Sequence, residues 1–135
     1  MTRVLVAPLD WGLGHATRCI PIVRELLGRG CEVFLAGSGD SVLLLSKEFP
    51  QLKYFILPGY QPRYPANGMF MPWRMATQIP KFFKAISDEH KEAEEIVHGY
   101  KIDFVISDNR YGCWSDSVPS VFITHQSNIL MPKRF

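Results

Sequence analysis

Apolar residues along the chain fall in short blocks separated by polar, glycine-bearing breaks. "RVLVAPL" (3–9) is a near-continuous apolar run of strand length. After the break, Ile20, Val23, Leu26 and Leu27 recur near the 3.6-residue period and form the apolar stripe of a helix. "GRG" (28–30) ends that helix, with Gly30 at the position just past the cap. "CEVFLAG" (31–37) is a second strand, and a helix over Asp40–Phe49 follows with Asp40 as its N-cap. "LKYFIL" (52–57) is a third strand.

The pattern then breaks. Residues 58–76, "PGYQPRYPANGMFMPWRMA", hold four prolines and two glycines, which exclude regular structure over most of the segment. A long helix resumes after it, capped by Thr77 with Pro80 in its first turn. Its stripe is Ile79, Phe83, Ile86, His90, Ala93 and Val97, with Phe83 and Ile86 in the core, and "DEHKEAEE" (88–95) is its solvated face. "IDFVIS" (102–107) and "SVFITH" (120–125) are the fourth and fifth strands. Strands and helices thus alternate, and the strands are apolar throughout rather than every second residue. Both features predict a single α/β domain: a Rossmann-like open parallel sheet with helices on both faces.

Composition adds bounds. The chain has 135 residues, 47% of them hydrophobic and 21% charged, enough for one domain with a real core. A net charge of +2 gives no ground for a nucleic-acid partner. The three cysteines, Cys19, Cys31 and Cys113, lack CxxC spacing, which speaks against a disulfide framework or a zinc site and for a reducing, cytoplasmic setting. No cluster with metal-ligand spacing is visible, and no apolar run approaches the roughly 20 residues that span a bilayer. The N-terminus is a first strand, not a signal peptide.

Chemistry concentrates in "DWGLGHATR" (10–18), a turn between the first strand and the first helix. Ligands of open parallel sheets bind beyond the carboxyl ends of the strands. Gly12 and Gly14 let the backbone approach a ligand, and the helix N-terminus favours an anion. A dinucleotide loop requires G-x-G-x-x-G, but the third glycine position is Thr17, and no acid follows the second strand before Asp40. Both departures count against a nicotinamide or flavin cofactor. A tight turn without a ligand is one reading. The other rests on His15, at the helix start: a neutral imidazole facing the crevice can take a proton from a hydroxyl, as a general base does.

"GLGHATRCIPIVRELLGRGCEVFLAGSG" (12–39) resembles the opening of GT-B glycosyltransferases, which begin with a strand, a G-x-G-H turn and a helix ending in R-G-H/C-x-V. It is similar to the lipid II-forming N-acetylglucosaminyltransferases of peptidoglycan synthesis and to a looser group opening with G-x-G-H-A-[ST]-R. "DFVISDNR" (103–110) and "VPSVFITHQSN" (118–128) extend the resemblance along the chain. It implies that residues 1–135 are the N-terminal, acceptor-binding domain, and that the nucleotide-sugar donor, a UDP-sugar, is held by a C-terminal domain outside this sequence. It also implies inverting transfer to an acceptor hydroxyl without metal or other cofactor. His15 is then the acceptor-side base or a ligand to an acceptor phosphate, and Asp108 an acid that orients groups in the crevice. His125 and Gln126 fall on the Glu-Gln pair of a His-Glu-Gln-Asn stretch. Gln126 matches directly, whereas the Glu position is His125 and the leading His is Thr124.

Two further features have paired readings. Met69, Phe70, Met71, Trp73, Met75, Phe82 and Phe83 lie among Arg63, Arg74, Lys81 and Lys84. Such a mixture, with Phe70, Trp73 and Arg74 at its centre, suits a lipid-linked acceptor or the inner face of a membrane, or else it packs over the sheet. Arg18 and Arg110, near strand ends, are acceptor-phosphate ligands or plain surface cations. The functional alternatives are a non-catalytic acceptor- or membrane-binding module of a two-chain transferase and, weakened by Thr17, a nucleotide-binding oxidoreductase domain.

Overall fold

The computed structural model describes residues 1–10, 13–57 and 71–124, with backbone only for 71–79. The elements are β1 (Arg3–Pro8), α1 (Gly14–Gly28), β2 (Glu32–Gly37), α2 (Gly39–Glu48), β3 (Tyr54–Ile56), α3 (Met71–Gly99), β4 (Phe104–Asp108) and β5 (Ser120–Ile123). The five strands form one parallel sheet in the order β3-β2-β1-β4-β5. The chain runs outward from β1 to β3, then returns to add β4 and β5 on the other side. Strand order therefore reverses between β1 and β4, and such a reversal opens a crevice at the carboxyl ends. Pro8 ends β1 directly opposite Asp108 at the end of β4.

Alternate residues of the central strands feed two cores. Val4, Val6, Val33 and Leu35 pack with Ala16, Cys19 and Val23 of α1 and Leu45 of α2. Leu5, Ala7, Phe34, Ala36 and Val105 pack on the opposite face with Ala93, Ile96 and Val97 of α3. Coverage of both faces explains why the strands read as apolar runs. Gly30 has φ of 81°, the left-handed conformation expected just past a helix end.

Several expected boundaries move. The N-cap of α2 is Ser38, with extended backbone, and Asp40 lies in the first turn; the Asp10 carboxylate packs at this helix start, where negative charge is favoured. The long helix begins at Met71 rather than after Thr77, so 71–76 are helical and Pro80 is inside the helix. Pro72 suits a first turn as well as Pro80 does, and the earlier position wins. The remainder of the irregular segment, 58–70, lies outside the described residues.

The inward stripe of α3 also differs. It is Glu89, Ala93, Ile96 and Val97, all buried. That setting turns Phe83 outward, 64% exposed, and leaves Ile86 half-buried, so Phe83 is not a core residue. Glu89, expected on the solvated face, is fully buried. Among the described residues no helix is long and apolar enough to cross a membrane.

Candidate active site

Three side chains of α1 converge on one carboxylate. His15, Arg18 and Cys19 are spaced i, i+3 and i+4, so they share a helix face, and that face meets the end of β4. Asp108 is there, completely buried. His15 Nδ1 lies 3.1 Å from Asp108 Oδ1. Arg18 donates from Nε to Asp108 Oδ2 at 2.9 Å and from Nη2 to Oδ1, a two-pronged ion pair. Cys19 Sγ lies 3.7 Å from Oδ2. The carboxyl group is thus buried and fully partnered, as such a group must be.

Asp108 is fixed by its backbone as well. Its carbonyl accepts the Leu9 N–H at 2.9 Å, and the next residue, Asn109, donates to the Ile123 carbonyl at 2.9 Å. Asn109 has φ of 64°, a left-handed conformation that asparagine tolerates better than most residues. This bend ends β4 immediately after the acid.

The arrangement determines how the imidazole is used. A carboxylate only accepts, so the His15–Asp108 bond requires the hydrogen on Nδ1. Nε2 then carries the lone pair and is the nitrogen that can accept a proton. Arg18 Nη2 lies 3.2 Å from Nδ1, but both are donors in this tautomer, and both point their hydrogens at Asp108. Bonding to Asp108 holds the Arg18 guanidinium firmly protonated. Burial first, and then the charge of Asp108, push the Cys19 thiol up to about 12, so it is not a nucleophile.

Arg110 has a different place from the one expected of a surface cation or phosphate ligand. Its side chain is fully buried, with Nε 2.5 Å from Glu89 Oε1. Its Nη1 lies 3.3 Å from the Pro8 carbonyl and 3.2 Å from Ser38 Oγ. It therefore ties α3 to the carboxyl ends of β1 and β2. Burial pushes the Glu89 carboxyl up, opposed by the charge of Arg110 and the backbone of Gly112.

Of the other sequence candidates, Gly14 opens α1, with no atom of the described residues within 4 Å of where a side chain would stand. Gly12, Phe70, His125 and Gln126 lie outside the described residues. Trp73 and Arg74 are on the first turns of α3, where only the backbone is described. Beside β4 and β5 lies a cavity of about 500 Å³ walled by Tyr111, Trp114 and Phe122, with Ser107, Asn109 and Thr124 as polar lining. The sequence reading missed this cavity. Tyr111 and Phe122 face each other at 5.7 Å, and Phe82 of α3 approaches Tyr111 at 6.2 Å. The signal was available as three aromatics flanking the fourth and fifth strands, but only folding shows that they share one wall.

Solved structures share this architecture. MurG of Acinetobacter baumannii matches over 90% of this chain and 34% of its own, with a TM-score of 0.60 and 16% identity. A UGT transferase of Siraitia grosvenorii, solved with UDP, matches over 92% and 28%, with a TM-score of 0.58 and 16% identity. The shared fold is that of part of these glycosyltransferases, a GT-B N-terminal-like fragment. The glycosyltransferase VinC, solved with dTDP, matches over 79% of this chain and 29% of its own, with a TM-score of 0.51 and 15% identity. The chain thus spans about a third of the length of these glycosyltransferases. No family model matches the sequence, and no curated protein matches it.

Proposed function

We propose that this chain is the acceptor-binding half of a glycosyltransferase, and that His15 is the base that takes the proton from the acceptor hydroxyl. The observation that carries the reading is the buried Asp108 carboxylate 3.1 Å from His15 Nδ1. That bond leaves Nε2 as the acceptor, and Asp108 stabilises the imidazolium formed on proton transfer. The donor is a nucleotide diphosphate sugar, a UDP-sugar for preference, bound by a domain outside this sequence. Attack by the deprotonated hydroxyl on the anomeric carbon, opposite the departing diphosphate, inverts the configuration, and no metal is required of this half. The MurG and UGT folds support the reaction class, and the UDP and dTDP in two neighbours support the donor class.

On the acceptor side, Gly12 and Gly14 give the acceptor access to the backbone. Arg18 offers its outward face to an anionic group, and the resemblance of their sequence stretch assigns His125 and Gln126 to the acceptor as well. Arg110 acts from inside, holding the ends of β1 and β2 against α3. Phe70, Trp73 and Arg74 are assigned to recognition of a lipid-linked acceptor at the cytoplasmic face of a membrane, on the make-up of their sequence stretch.

A second reading is favoured by one contact. Asp108 is already held in a two-pronged ion pair by Arg18, whose Nη2 also lies 3.2 Å from His15 Nδ1. Under that reading the cluster only binds an acceptor, and another chain carries the chemistry. His15→Ala distinguishes the two in the enzyme that contains the donor-binding half. As the base, its loss lowers turnover by roughly two to four powers of ten, with the donor KM nearly unchanged. Turnover close to wild type would leave the cluster a binding device.

A further inference from the structure

We propose that His90, Glu94 and Asp116 form a site for a divalent cation of the zinc class, which fastens the connection between β4 and β5 onto α3. One ligand-type atom from each of the three lies within 4.8 Å of the others. His90 and Glu94 are one helical turn apart on α3, so they project side by side. Asp116 comes from the connection after β4, distant in sequence, and is held there by its own backbone. Its N–H donates to Glu94 Oε1 at 3.0 Å. Tetrahedral zinc with bonds of about 2.0–2.2 Å needs ligand atoms roughly 3.3 Å apart. Closing to that spacing takes movements of up to about 1.5 Å, which fall to the Glu94 and Asp116 side chains.

The imidazole is prepared as a metal-binding histidine is. His90 Nδ1 lies 3.3 Å from the Gly112 carbonyl, which can only accept, so Nδ1 carries the hydrogen and Nε2 the lone pair. A backbone carbonyl on the far nitrogen fixes ring orientation and tautomer in this way at many metal sites. Trp114 stacks on the same ring, centroids 3.9 Å apart and planes at 21°, which removes its rotational freedom.

One imidazole and two carboxylates leave a fourth position for water and suit zinc, cobalt or manganese better than magnesium, which prefers oxygen alone. The cluster shares no residue with the His15–Asp108 site. Its consequence is mechanical, because the connection it fastens begins with Asn109 and Arg110, directly after the acid of that site.

Calorimetric titration of the purified chain with zinc chloride tests this. We expect one zinc per chain with micromolar affinity and a raised melting temperature. Asp116→Ala is the deciding variant: the side chain is exposed, so the fold persists, and zinc affinity falls at least tenfold. His90→Ala does the same, while Cys31→Ala, at the half-buried thiol, leaves affinity unchanged. Absence of binding at millimolar zinc, or binding that Asp116→Ala leaves intact, overturns the proposal.

Discussion

Cys19 and Cys113 differ from Cys31 in what surrounds them. Cys19 faces Asp108 inside the sheet–helix core, and Cys113 is buried near Glu89. Burial, aided by those carboxylates, pushes both thiols up to about 12, so neither is a thiolate at neutral pH. Cys31, just past the end of α1, is only half-buried. A thiol reagent such as DTNB should therefore label one cysteine quickly in the native protein and all three after denaturation. Fast labelling of Cys19 would mean that the α1–β4 contact opens readily, and of Cys113 that the connection after β4 lifts from α3. At this scale the sequence was informative about His15 and Arg18, because a glycine turn before a helix marks them. It was silent on how Asp108 is shared. Nothing in the spacing of His15, Arg18 and Asp108 says that one carboxylate serves both, since that depends on the register that sets Pro8 opposite Asp108.

Among the elements, α3 is where sequence and structure part. Its pattern contains two competing stripes, and a sequence reading follows the more apolar one through Phe83. The structure follows the other, because Arg110 enters from the end of β4 and supplies Glu89 with a partner inside the protein. A buried ion pair of this kind cannot be read from one strand of sequence, since the glutamate looks like any solvated helix residue until its partner is known. Gly112 marks how closely the elements approach. A Cβ added there would lie 2.5 Å from the Ile86 carbonyl and 2.9 Å from Glu89 Cβ. Gly112→Ala must therefore push the connection after β4 away from α3. We expect a loss of about 1–3 kcal/mol in urea unfolding, the usual cost of overpacking. An unchanged midpoint would show that this contact is not held tightly.

For the molecule as a whole, the parallel sheet and its strand order followed from the alternation of apolar runs and 3.6-period stripes, and right-handed crossovers leave few other topologies. The ends of elements were less legible: the start of α3 depended on which of two prolines the helix would accept. The crevice between β1 and β4 belongs to a chain about a third the length of its structural neighbours, and the proposed function assigns the donor to residues outside it. The 135-residue chain alone should then show no micromolar binding of UDP-sugars by calorimetry. Such binding would place the donor on this half. The claim that His15 and Asp108 act as one unit is tested most directly by a double-mutant cycle on turnover in the enzyme joined to its donor-binding half. His15→Ala, Asp108→Asn and the double variant are compared with wild type. If the acid works only through the base, the double variant is no slower than His15→Ala alone, because residues that act as a unit are far from additive. Effects that multiply would mean that the two side chains contribute separately, and would contradict a His15–Asp108 dyad.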